Sequence, residues 1–279
     1  MSPGIEISST AEVGQQGDVW YSVDDAVVTA SDSKELSFWS TDPVEGPRGD
    51  LFENIVHKTP FIRAFDKLVP RLELAGDESV LEVGAGHGWA SVMLKQRYPG
   101  CYVVASDISR DAVGFVEKYE GFLATPLDEK WAFNSRRIPF ADGQFDVVFA
   151  FAAFHHFGEH GDFGAALSEM VRVLRPGGRA VLLYEPMSPT WLYDRAVQRV
   201  NRKRESVDHD IDEDVLVLAR IKQLAESLGC RFEGTHYAAY EDREGIVEMV
   251  YYFVLSGLAP LRRILPCTVN VVVRKPSDE

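Results

Sequence analysis

The sequence predicts an α/β protein: a mostly parallel, seven-stranded sheet with helices on both faces. Strand-like and helix-like runs alternate from about residue 79 onward, the pattern of parallel strands joined by covering helices. A glycine-rich turn follows the first of these strands, and the spacing between runs suits right-handed crossovers into a single sheet. With 279 residues, 46% of them apolar, the chain can bury one large core plus a small appendage.

Residues 1–45 are rich in Ser, Asp, Thr and Gly and make a poor core. Their one helix start is Ser22, with Asp25 completing a capping box. Between 50 and 74, Leu51, Ile55, Phe61, Ile62, Phe65, Leu68 and Leu72 recur at helical spacing, and Pro60 and Pro70 divide the run into two short helices. Residues 1–74 therefore read as an N-terminal helical cap on a core spanning 75–279. In that core, strands are expected at 79–84, 101–107, 131–135, 145–154 and 179–186, with helices at 89–97, from Ser109 or Asp111, and at 163–174. The last of these stops at Pro176 and two glycines. An inserted helix (insert about 187–211), an amphipathic helix at 212–230 and two closing strands complete the reading.

The formal charge of −14 repels phosphate backbones and anionic lipid headgroups, which argues against nucleic-acid and membrane partners. A basic run at 199–204 reads as a solvated helix face. Cys101, Cys230 and Cys267 lack zinc or disulfide spacing, so no metal is expected from them and a reducing, cytoplasmic setting fits. The start has no cationic segment followed by an apolar run, and 246–255 is too short to span a bilayer.

Chemistry is concentrated in LEVGAGHG, an apolar strand carrying Glu82, then Gly84, Ala85, Gly86 and Gly88. Glycine there permits a tight turn and close approach of a ligand, and the next helix offers its unpaired N–H groups. Asp107 ends the following strand, where an acid in doubly wound folds accepts hydrogen bonds from a ribose. A dinucleotide fingerprint would be GxGxxG. Here the third glycine comes one residue early, which argues against NAD.

The ExGxGxG spacing resembles motif I of class I, Rossmann-like S-adenosylmethionine (SAM) methyltransferases. The resemblance continues through Asp107, IPFADGQFDVVFA and MVRVLRPGGRAVL, four ordered matches over about residues 79–186. It implies a SAM cofactor, with Glu82, Gly84, Ala85, Gly86 and Gly88 holding the methionine portion and Asp107 the ribose. Asn134 stands where the family usually has an Asp for the adenine amine, Ile108 would pack on the adenine face, and Phe151 lies toward the methionyl group. The double histidine after the fourth strand is similar to that of ubiquinone and menaquinone methyltransferases. The function implied is methyl transfer to an oxygen, nitrogen or carbon nucleophile of a small molecule, with a peptide acceptor as an alternative. A SAM-fold enzyme catalysing cyclisation or decarboxylation, a noncatalytic SAM-fold partner and an NAD-dependent reductase remain rivals, since fold does not fix function.

His155, His156 and Glu185 are the catalytic candidates, because they follow strands at the edge where open α/β sheets bind ligands. Adjacent histidines are expected to diverge, with His155 preferred as acid or base, while Glu185 either orients an acceptor or bonds a nearby amide. Trp20, Tyr21, Phe38 and Trp39 are candidate lid aromatics; Tyr193, Tyr237, Tyr240, Tyr251 and Tyr252 are candidate pocket residues. The apolar run at 251–266 suits an acceptor cover or a homodimer contact.

Overall fold

In the computed structural model, residues 4–23, 29–158, 161–205, 213–243 and 245–277 are described. Five parallel strands form the centre: β3 (Ser79–Val83), β4 (Tyr102–Asp107), β5 (Glu129–Ala132), β6 (Phe145–Phe151) and β7 (Leu174–Met187). Antiparallel β9 (Cys267–Arg274) and β8 (Arg231–Tyr237) extend the sheet beyond β7. Side chains alternate across it, so Val80, Val103, Val147 and Val181 enter one core while Leu81, Val104, Val148 and Leu182 enter the other. Both sets are fully buried, as expected for a parallel sheet covered on both faces.

Among the described residues the sheet has nine strands rather than seven, in the order β1-β2-β5-β4-β3-β6-β7-β9-β8. The additional pair comes from the segment read as purely helical: β1 (Val13–Gln16) and β2 (Val19–Ser22) form a hairpin, and β2 pairs in parallel with β5. Trp20 drives this docking by stacking on the fully buried Trp131, with centroids 5.8 Å apart and planes at 23°. Tyr21 lies beneath the Arg110 guanidinium, 3.6 Å from the ring centroid. Trp20→Ala is expected to cost about 2 kcal/mol through lost stacking and a partly filled cavity. Urea unfolding at constant m-value checks this, and an unchanged midpoint would place the hairpin outside the cooperative unit.

Ser22 ends a strand instead of starting a helix, and Asp25, its expected capping partner, lies outside the described residues. The helix begins later, as α1 (Ala30–Thr41), where Thr29 and Asp32 complete a reciprocal capping box. α2 (Leu51–Leu68) runs through Pro60 as one helix. The proline deprives the Val56 carbonyl of its donor, but Val56 is 73% exposed, so water can take that bond. Phe65 and Leu68 meanwhile anchor the helix in the core.

α3 (Trp89–Arg97), α4 (Arg110–Leu123, capped by Ser109) and α5 (Gly164–Val173) follow their strands as expected. β7 starts at Leu174 and includes the Pro-Gly-Gly run as an irregularity, since Phe145 pairs with Leu174 but Val147 with Arg179. α6 (Tyr193–Glu205) occupies the insert. The amphipathic run at 212–230 is helical only as α7 (Leu218–Ser227). Val215, Leu216 and Val217 precede it buried, with Leu216 bridging to Met187. α8 (Ile246–Gly257) leaves Ile246, Val247, Val250 and Phe253 exposed. No helix among the described residues is long and apolar enough to cross a membrane.

Candidate active site

The strand order reverses at β3, which has β4 on one side and β6 on the other. Helices after these strands leave on opposite faces, so a crevice opens at their carboxyl ends. A cavity of about 740 Å³ lies there, walled by Gly84, Ala85, Gly86, Asp107, Ile108, Asn134, Phe151 and His156. Of the sequence-predicted cofactor residues, Glu82 and Gly88 stand just behind this wall.

Glycine is demanded by geometry. Gly86 has φ +52°, and a Cβ there would meet Trp39 at 2.9 Å; Gly88, the N-cap of α3, has φ +65°, and its Cβ would meet Val116 at 2.6 Å. The loop is tied to β4 by the Ala85 N–H donating to the Ser106 carbonyl and the Gly86 N–H donating to Asp107, each at 2.8 Å. The other oxygen of Asp107 accepts the Ser109 N–H at 3.0 Å. Glu82 accepts a hydrogen bond from Ser91 on α3.

Both carboxyls are buried. Burial, and then the charge of Glu35, raises Asp107 to about 7 against the pull of the Ser109, Gly86 and Ile108 N–H groups. For Glu82, burial with a smaller push from Asp107 outweighs the Ser91 hydrogen bond, again raising it to about 7. Asp32 and Glu35 from α1 join Asp107 on the cavity wall, giving this end a concentration of acidic groups.

Several residues that sequence reasoning missed attach the N-terminal segment to the site. Asp32 accepts from the Asn134 amide at 3.0 Å and pairs with Arg136. The Asn134 oxygen accepts the Arg136 N–H at 3.0 Å. His87, inside the glycine loop, stacks on Phe115 at 4.0 Å and contacts the Glu45 carbonyl through Nε2 at 2.6 Å. A carbonyl only accepts, so Nε2 carries the proton; burial pushes this imidazole down to about 4 and keeps it neutral. Glu45 also pairs with Lys58 on α2 at 2.8 Å. The Glu45–His87, Asp32–Asn134 and Asp32–Arg136 contacts have no periodic or motif signal, because their partners lie 42 to 104 residues apart.

The aromatics separate. Phe38 and Trp39 line the cavity, whereas Trp20 and Tyr21 sit on β2 away from it. None of the five candidate tyrosines is a lining residue: the hydroxyls of Tyr193 and Tyr237 donate to Asp214 and Asp242, that of Tyr251 donates to the Pro266 carbonyl, that of Tyr252 bonds Thr268, and the Tyr240 ring packs on Phe253. The hydroxyls of the first four satisfy local polar groups instead. α8 likewise contributes nothing to the wall, contrary to its reading as an acceptor cover.

At the opposite end, the catalytic candidates fall into different positions from those expected. Glu185 is fully buried and accepts the backbone N–H groups of Ala153, Phe154 and His155 at 3.0 to 3.2 Å, so it organises the turn after β6 without facing the cavity. His155 is held at Nδ1 by Glu185 (2.8 Å) and at Nε2 by Glu213 (3.1 Å). Burial alone would keep the ring neutral, but the two carboxylates outweigh it and push it up to about 10. A clamped imidazolium lacks the free lone pair a base requires, and the lining histidine is His156. The two rings do not diverge: the short 3-10 turn Phe154–His156 holds them 4.1 Å apart, with both Nε2 atoms within 3.8 Å of Glu213.

Residues 81–182 match the family model of a methyltransferase domain. Over 144 residues the chain is 31% identical to a demethylmenaquinone methyltransferase of Thermus thermophilus, covering 51% of this chain and 63% of that protein, under two thirds of its length. Among solved structures, a geranyl diphosphate C-methyltransferase from Streptomyces coelicolor A3(2) superposes with a TM-score of 0.64 at 16% identity, covering 89% of this chain and 98% of the other. The [4+2]-cyclase SpnF also shares the fold, at a TM-score of 0.57 and 15% identity over 77% of this chain and 81% of its own. Residues 81–182 are thus similar to a methyltransferase domain, and the α/β fold with its mostly parallel sheet matches that of these solved structures.

Proposed function

We propose that the chain is a SAM-dependent methyltransferase acting on a small molecule, with residues 1–74 closing over the cavity as a lid on the 75–279 core. The observation that carries this reading is the acidic glycine-loop end of the cavity. Glu35 and Asp107 on the wall and Glu82 behind it suit a ligand bearing a sulfonium and an ammonium, and oppose the pyrophosphate of a dinucleotide. The indole N–H of Trp39, buried without a partner among the described residues, adds an unused donor at the same end.

SAM supplies an activated methyl group on sulfur. In this reading Gly84, Ala85, Gly86, Gly88 and Glu82 hold the methionine portion, Asp107 accepts from the ribose and Asn134 meets the adenine amine with its second oxygen lone pair. Ile108 covers the adenine face, and Phe151 borders the methionyl group. Trp39 and Phe38 exclude water, while His156 and Glu213 border the acceptor. Rate comes from alignment and exclusion of water. The small-molecule acceptor follows the named activity of the Thermus relative, and the cyclase neighbour is the reason to measure S-adenosylhomocysteine formation directly.

Isothermal titration of SAM and S-adenosylhomocysteine between pH 6 and 8 tests the reading. Asp107 and Glu82, raised to about 7, hold protons that unfolded carboxyls release near pH 4. Their contribution to stability is therefore full below about pH 4 and is lost as pH rises through about 7. A cationic ligand prefers the ionised site, so its affinity should rise severalfold from pH 6 to 8, with net proton release. Absence of binding by both ligands at pH 8 would sink the proposal.

A further inference from the structure

The acceptor end of the cavity holds two imidazoles and a carboxylate from distant parts of the chain. His155 Nε2 lies 3.1 Å and His156 Nε2 3.8 Å from the same Glu213 oxygen. One ligand atom from each residue falls within 4.8 Å of the others. Donors bound to one ion at about 2.0–2.2 Å lie roughly 3 to 3.6 Å apart, so a small contraction of this cluster would enclose an ion.

What surrounds the cluster also fits. The Nδ1 of His155 meets the Glu185 carboxylate at 2.8 Å, and three backbone N–H groups hold that carboxylate still. Metal-bound histidines are oriented in this way, with Nδ1–H given to a carboxylate and Nε2 left to ligate. Glu213 and His156 both line the cavity, so the remaining coordination positions would open onto the acceptor space.

We propose that His155, His156 and Glu213 form a binding site for a divalent first-row transition ion, whose open positions take an oxygen of the acceptor. Two imidazoles with one carboxylate favour Zn²⁺, Fe²⁺, Co²⁺ or Mn²⁺ over Mg²⁺ or Ca²⁺, which prefer all-oxygen shells. The ion site stands on the cluster alone; only the identity of its external ligand rests on the methyltransferase reading.

The competing account is a metal-free clamp in which protonated His155 bridges Glu185 and Glu213. Chelator-treated full-length protein titrated with Co²⁺ separates the two. The proposal expects one equivalent to bind with a visible d–d spectrum, and His156→Ala and Glu213→Gln to weaken binding by about a hundredfold. Circular dichroism and the unfolding midpoint establish that each variant folds; if one does not, the other decides. No d–d band, or weak binding unchanged in a folded variant, overturns the site and leaves the clamp. S-adenosylhomocysteine titrated into the same wild-type preparation keeps the readings apart: its binding without Co²⁺ binding removes only the metal, and the converse removes only the cofactor assignment.

Discussion

Glu185→Ala is expected to destabilise the protein by about 3–5 kcal/mol, the range for breaking a buried ion pair by removing one partner. In the metal-free protein three backbone N–H groups lose their acceptor, and the buried His155 imidazolium loses one of two carboxylates. The effect should depend on pH. His155 is raised from 6.5 to about 10, so its contribution is fully present below about pH 6.5 and is lost as pH rises through about 10. Wild type should therefore lose stability between pH 7 and 10, and Glu185→Ala should show a shallower loss. Urea unfolding at several pH values measures both, and a cost below about 1 kcal/mol with an unchanged slope would contradict this account of the turn after β6.

Asp107→Ala should leave the fold nearly as stable while weakening S-adenosylhomocysteine binding by about 1.5–3 kcal/mol, the value of a hydrogen bond to a charged group. Two opposing effects limit its stability cost. The N–H groups of Gly86 and Ser109 lose an acceptor, but repulsion with Glu35 and Glu82 is relieved. Titration calorimetry beside urea unfolding reads the split. An affinity unchanged within a factor of two would remove Asp107 from the ribose role, and a large stability loss would make it a structural tie between β4 and the glycine loop.

The catalytic candidates show where sequence reasoning reached its limit. His155, His156 and Glu185 were singled out for their places at strand ends, and they do gather at the carboxyl ends of β6 and β7. Their division of labour was not legible. Whether a histidine is clamped or faces a cavity depends on Glu213, which no spacing links to residue 155. The same holds for the acidic end: Asp107 stood out by its place at the end of β4, whereas Asp32 and Glu35 sit in a segment whose helix start was misplaced.

From the chain alone, the succession of central strands along the sequence, the glycine loop and the acid ending β4 could be read, because each rests on local periodicity or on short-range backbone geometry. Tertiary packing decided the rest. β1 and β2 joined the sheet because the Trp20–Trp131 contact outweighs the weak strand pattern of a polar segment. α2 continued through Pro60 because buried Phe65 and Leu68 hold it against the core. The cavity acquired its N-terminal wall and its charged ends from side chains up to 104 residues apart, and such pairings are selected by burial and electrostatic complementarity in the folded state, which no local pattern encodes.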